Sequence, residues 1–154
     1  MQQKILIRKA ISTDLSAIIE MLADDALGKT REDCSLPLRQ EYLQAFDAIS
    51  RDQNQELLVM CMGEEIVGSL QLTFIPSLSF LGSLRAQIEG VRIKSSCRDQ
   101  GLGRVLLEDA IRRAKARGCH MVQLTTHASR GRAKQFYESM GFQASHVGMK
   151  LVWG

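Results

Sequence analysis

The chain has 154 residues, of which 45% are hydrophobic and 24% charged, and its formal net charge is +3. This is one domain's length and a folded protein's composition, which excludes a disordered tail, a collagen-like chain and a small disulfide scaffold. No apolar run approaches the ~20 residues of a bilayer span. The opening MQQKILIRKA lacks the apolar core and cleavage site of a secretory leader, so a cytoplasmic location without membrane association is expected. Cys34, Cys61, Cys97 and Cys119 show neither Cys-x-x-Cys nor zinc-ligand spacing, so reduced thiols and no metal are expected.

Charge is unevenly spread. Residues 1–90 hold 8 Lys+Arg against 13 Asp+Glu, net −5, whereas residues 91–154 hold 12 against 4, net +8. Such asymmetry points to an anionic ligand on the second half, with a solvated basic helix face as the plainer explanation. No repeat, low-complexity tract or Pro/Gly/Ser-rich linker interrupts the chain, which predicts a single domain over residues 1–154.

Lys4-Ile5-Leu6-Ile7-Arg8 reads as a short strand. Ser12-Thr13-Asp14 supplies cap-type residues, and Leu15, Ile18, Ile19 and Leu22 recur at helical spacing, so a helix is predicted over residues 13–27. Ser35 caps and Pro37 opens a second helix with Leu38, Tyr42, Leu43, Phe46 and Ile49 on its apolar face. Residues 56–62 form a buried strand, Gly63-Glu64-Glu65 a turn, and residues 66–75 the returning arm of a hairpin ended by Pro76. A third strand follows over 86–93. Residues 101–117 form an amphipathic helix closed by Gly118, and 121–125 a strand. A short helix over 131–140 ends at Gly141, and a last strand is predicted over 142–152. The order is β-α-α-β-β-β-α-β-α-β, an α/β class with a mixed central sheet flanked by helices. The unit from Ala86 to Thr125 requires parallel strands and a right-handed crossover.

Arg98-Asp99-Gln100-Gly101-Leu102-Gly103-Arg104 lies between a strand and an amphipathic helix. Glycines there let backbone N–H groups approach a ligand. The first N–H groups of a helix lack intrahelical partners and carry the positive end of its dipole, so together they can seat a phosphate. A Walker loop is excluded because Arg104-Val105 follows Gly103. A dinucleotide fingerprint is excluded because Leu106 stands where a small residue is needed and the next strand ends Leu124-Thr125-Thr126-His127, without a carboxylate. A tight strand–helix turn explains the Gly-x-Gly by itself equally well.

Arg-x-x-Gly-x-Gly in this order of elements resembles the acyl-CoA site of the GNAT superfamily of N-acetyltransferases. Ala133-Lys134-Gln135-Phe136-Tyr137-Glu138-Ser139-Met140-Gly141-Phe142 is similar to that family's helix ending in Phe-Tyr-x-x-x-Gly-Phe. The resemblance is sharp over residues 88–142 and extends to the whole chain in element order. It implies a GNAT-like fold with acetyl-CoA as cosubstrate, its diphosphate on the N–H groups of Arg98, Asp99, Gln100, Gly101, Leu102, Gly103 and Arg104. The pantetheine arm would lie along Val91, Arg92 and Ile93, pairing like an added strand. The N–H of Val91 or Arg92 would polarise the thioester carbonyl. The family often places an Asn against the pantetheine arm where this chain has His127; an imidazole can still donate or accept there. Lys134 and Arg132 could reach the adenosine phosphates, though a solvated face accounts for them too.

Acyl transfer to an amine needs a neutral nucleophile, and an alkylamine with a pKa of about 10.4 must first lose a proton. Glu89 is the candidate base, with a water relay or a substrate anchor as alternatives. Tyr137 matches the family's general acid, since a phenol of pKa about 10 can protonate a thiolate whose thiol is near 8.5. A buried aromatic with a satisfied hydroxyl is the plainer reading of Tyr137. The expected activity is direct transfer of acetyl to a primary amine, preferably of a small molecule. A protein or peptide amine and a non-catalytic acyl-CoA-binding module are the alternatives. The acidic first half suits a cationic amine, whereas Ser145-His146 resembles an aminoalkylphosphonate branch that would use Arg85 or Arg92. With 5% aromatic residues, stacking platforms for nucleic acid are scarce and no such partner is expected. The apolar last strand suggests a homodimer.

Overall fold

The computed structural model describes residues 3–154. Its elements are β1 (Ile5–Lys9), α1 (Leu15–Ala23), α2 (Gln40–Arg51), β2 (Gln55–Met62), β3 (Glu65–Pro76), α3 (Ser79–Gly82, a left-handed turn through Phe80 and Leu81), β4 (Leu84–Ile93), α4 (Leu102–Ala116), β5 (Met121–Leu124) and α5 (Gly131–Ser139). Two compact units divide between Gln123 and Leu124.

In the first unit the sheet order is β1-β2-β3-β4-β5. The first three pairings are antiparallel. The β4–β5 pairing is parallel: His120 Nδ1 lies 3.0 Å from Leu84 O and Gln123 Nε2 donates to Gln87 Oε1 at 2.9 Å, both 36 residues apart, the constant offset of strands running the same way. Period-2 alternation sorts the side chains. Leu58, Met60, Leu70, Leu72, Phe74, Ala86 and Ile88 are buried on one face. The helix α4 covers that face with Leu106, Leu107, Ala110 and Ala114, all fully buried. Truncating one of these leucines to alanine costs about 2–5 kcal/mol. The opposite face gives Val59 and Cys61 to a second cluster with Ile18 of α1, flanked by Leu22 and Leu57.

Charges tie the helices down. The buried Asp109 of α4 accepts from Arg113 Nε at 2.6 Å and also pairs with Arg112; Arg113 reaches Glu56 of β2 at 3.3 Å. Arg117, just past α4, lies 4.3 Å over the Phe74 ring and donates to Gln53 O at 2.7 Å. Asp14 accepts both guanidinium nitrogens of Arg8, at 2.7 and 3.1 Å, and the Ile11 N–H at 2.8 Å.

Three expectations are corrected. The helix predicted over 13–27 is a 3-10 turn at Ser12–Asp14 followed by α1, which stops at Ala23. The chain then folds back so tightly that a Cβ on Gly28 would lie 2.0 Å from Leu22 O, which only glycine allows. The second helix starts at Gln40 rather than Pro37, because Arg39 is extended (φ −60°, ψ 143°) and Ser35 spends its N–H and hydroxyl on Asp33. The last predicted strand does not form, and residues 142–154 make no ladder among the described residues. Alternation made that segment strand-like, but a strand also needs a hydrogen-bonded neighbour.

In the second unit α5 carries Phe136 and Tyr137, whose ring centroids lie 5.4 Å apart, and Phe142 meets the Tyr137 ring edge-on at 5.9 Å. Gly141, at φ +98°, ends the helix in the left-handed region. Beyond it Val147, Met149, Leu151, Val152 and Trp153 are 81–91% exposed.

Candidate active site

The pairing of β3 with β4 breaks at one place. Ser69 faces Arg92 and Gln71 faces Glu89, so two steps on β3 span three on β4. The extra residue is a β-bulge at Gly90-Val91, and Gly90 holds φ +62°. A bulge unpairs the local ladder and bends the strand. Glu89 is exposed at its rim, with Oε1 accepting from Gln87 Nε2 at 2.9 Å. Beside it lies a cavity of about 140 Å³ lined by Ile18, Leu22, Leu57, Ser69, Gln71 and Glu89, among others. Val91, Arg92 and Ile93 continue the strand half-buried.

The strand leads into the loop before α4. Asp99 (φ +60°) and Gly101 (φ +78°) both hold left-handed backbones. Gly101 is the N-cap, and glycine has no side chain to occupy the first amides. The helical ladder opens with Val105 N–H on Gly101 O at 3.3 Å, so the N–H groups of Leu102, Gly103 and Arg104 precede it. Residues 98–101 and Arg104 are exposed, while the Leu102 side chain anchors the turn in the core. This geometry suits an anion at the helix start. Around it Arg98 Nε donates to Ile93 O at 3.2 Å, and its guanidinium lies 3.7 Å from Asp24; Arg92 lies 3.6 Å from Asp25, and Arg104 4.0 Å from Glu108.

In the second unit His127 turns back on its own loop. Its Nδ1 accepts the Ser129 N–H at 3.2 Å and lies 2.7 Å from the Ser129 hydroxyl. With Nδ1 accepting, the neutral ring carries its proton on Nε2. Lys134 pairs with Glu138 at 3.2 Å, the ordinary partner of a solvated helix face. Tyr137 sits half-buried between the Phe136 and Phe142 rings.

Several site residues escaped the sequence reading. Asp24, which faces Arg98 of the loop, and Asp25, which faces Arg92 of β4, lie far away in the chain and carry no motif. Ser69, Gln71, Thr73 and Gln87 alternate with apolar neighbours, and that polar alternation on β3 and β4 is the signal that could have found them. Burial pushes the Cys119 thiol up, which disfavours the thiolate. Among the described residues no group of three or more His, Cys, Asp and Glu could hold a metal, and no helix is long and apolar enough to cross a membrane.

Residues 16–142 match the acetyltransferase (GNAT) family. A crystal structure of a transcriptional regulator from Bacillus halodurans C-125 is 52% identical, covers 97% of this chain and 100% of its own, and superposes with a TM-score of 0.95. An acetyltransferase of Trypanosoma brucei is 28% identical over 97% of this chain and 100% of its own, with a TM-score of 0.78. A glucosamine 6-phosphate N-acetyltransferase of Trypanosoma brucei brucei is 35% identical over 86 residues. That match spans 56% of this chain and 56% of the relative.

Proposed function

The chain belongs to the GNAT family of acetyltransferases, and on that footing we propose that it moves an acetyl group from acetyl-CoA directly to the primary amine of a small molecule. Residues 1–154 act as one N-acetyltransferase domain. The observation that carries this reading is the left-handed Gly90 bulge, which unpairs β4 beside Glu89 just ahead of the side-chain-free cap of α4.

The thioester supplies an activated acyl group with a thiolate leaving group. The first amides of α4 and the loop from Arg98 hold the diphosphate, and the strand residues Val91, Arg92 and Ile93 pair with the pantetheine arm. The N–H of Val91 or Arg92 donates to the carbonyl oxygen as negative charge grows there. Glu89 takes a proton from the bound ammonium, directly or through water, and frees the lone pair that forms the C–N bond. As the C–S bond breaks, Tyr137 gives its phenol proton to the departing sulfur, and the second proton shed by the acylated nitrogen restores the phenol. His127 and Lys134 contribute side contacts to the cofactor, His127 through Nε2–H. Both amine and thioester are bound before transfer, so both substrates enter a ternary complex. The reading is tested by following free-thiol release from acetyl-CoA across a panel of small amines and peptides. Thiol release that needs an amine supports it, and its absence with every amine refutes it.

The 52% identity to a transcriptional regulator favours a second reading, a non-catalytic acyl-CoA-binding module. Glu89 and Tyr137 argue against it, because a pure binder needs neither a base nor an acid. For assembly we propose a homodimer. Its support is the arm from Val147 to Trp153, where five large apolar side chains stand exposed and would be covered by a second copy of the chain.

A further inference from the structure

The sheet face that bears Glu89 changes character along its length. Under α1 it is apolar, with Val59, Cys61 and Leu57. Farther along it becomes a row of amides and hydroxyls. Register sets Gln55, Thr73 and Gln87 side by side, and Gln71 opposite Glu89. Hydrogen bonds link them: Gln71 Nε2 and Thr73 Oγ1 both donate to Gln55 Oε1, at 2.9 and 2.8 Å. On the other side Gln123 Nε2 donates to Gln87 Oε1 and Gln87 Nε2 to Glu89 Oε1, each at 2.9 Å. The row crosses four strands and ends at the proposed base. Its amides are half-buried rather than sealed in the core. One position nearer the bulge stands Ser69, 1% exposed, whose hydroxyl has no hydrogen-bond partner among the described residues and which lines the cavity shared with Gln71, Glu89 and Gly90.

From this row we infer that the acceptor is a polyhydroxylated amine, an amino sugar or aminopolyol, whose hydroxyls lie along the amides while its nitrogen reaches Glu89. The inference rests on the acetyl-transfer reading of the same site. A primary amide offers two donors and a two-lone-pair acceptor, and the bonds above use one N–H each of Gln71, Gln87 and Gln123. A hydroxyl is likewise donor and acceptor, so a run of hydroxyls satisfies a run of amides without adding charge. An alkyl amine on the same floor would strip water from these groups and return nothing, leaving each of them desolvated and unmatched. The Ser69 hydroxyl is satisfied by a substrate oxygen or by a water in the cavity that bridges to it. The apolar wall from Ile18 and Leu22 fits a ring or carbon chain edge-on.

The test compares glucosamine with cyclohexylamine, which share a six-membered ring and a primary amine, with rates referred to the free-base concentration. A lysine-containing peptide is the third acceptor, and Gln123→Leu, whose folding is checked by its melting temperature, is the variant. A kcat/KM for glucosamine at least tenfold above the other two, with that preference reduced about tenfold in Gln123→Leu and an unchanged KM for acetyl-CoA, supports the inference. Equal or better use of cyclohexylamine or peptide, or a preference that survives Gln123→Leu, overturns it and leaves acetyl transfer standing. No thiol release with any amine overturns both.

Discussion

Replacing Gly101 separates charge from backbone at the proposed phosphate seat. Gly101 holds φ +78°, and a Cβ built there meets no atom of the described residues within 4 Å. The cost of any side chain is therefore conformational, about 1–2 kcal/mol for an L-residue in the left-handed region and less for Asn or Asp. In a domain of this size 1 kcal/mol shifts the melting temperature by roughly 2–4 °C. Gly101→Asn and Gly101→Asp carry the same backbone cost, but only Asp adds a charge. A carboxylate about 5 Å from one phosphate charge is repelled by ~3 kcal/mol at an effective dielectric of 20, and solvent exposure reduces this to about 1.4 kcal/mol, or tenfold in Kd. Calorimetric titration with acetyl-CoA should show Asp binding about tenfold weaker than Asn at low salt. That gap should narrow above 0.5 M salt, where the Debye length falls to about 4 Å. Two variants that melt together and bind acetyl-CoA equally would refute the placement of the diphosphate.

Tyr137→Phe keeps the ring contacts to Phe136 and Phe142 and removes only the hydroxyl, so kcat should fall about 10²-fold with KM for acetyl-CoA unchanged; steady-state kinetics at saturating thioester reads this out. The hydrogen bonds from Arg8 hold the Asp14 carboxyl below its ordinary value. A carboxyl lowered in the folded state lends stability above its unfolded pKa and loses it as pH falls through the folded one. Urea midpoints should therefore decline below about pH 4, and Asp14→Asn should cost about 1–2 kcal/mol at pH 7 and flatten that decline. Coincident acid profiles would dismiss the linkage. Removing residues 147–154 should convert a species of twice 17.2 kDa into a monomer of the shortened chain in sedimentation equilibrium; a shortened chain that still sediments as a dimer, or a full chain that sediments as a monomer, would show that the arm holds no dimer.

Most of the fold was readable because its signals are local. The helical spacing of Leu102, Leu106, Ala110 and Ala114 and the left-handed Gly118 fixed α4 to within a residue at either end, and the turn at Gly63 placed the β2–β3 hairpin. The start of the second helix was misplaced because Ser35, read as its cap, spends its N–H and hydroxyl on Asp33 instead. The loop from Arg98 to Arg104 was legible from its glycines. The bulge was not, since Gly90 becomes informative only once β3 is laid beside it. The amide row is a cross-strand feature, and nothing in any single strand announces that Gln55, Thr73, Gln87 and Gln123 are neighbours.

The moorings of α4 shape how a ligand's pull would be felt. Arg113 fastens its last turns to β2, and Arg117 clamps its far end over Phe74. The helix is held at both ends, because the buried Leu102 roots its first turn in the core as well. Attraction at the loop therefore meets a braced beam, and the spacing between the loop and the bulge is preserved under load.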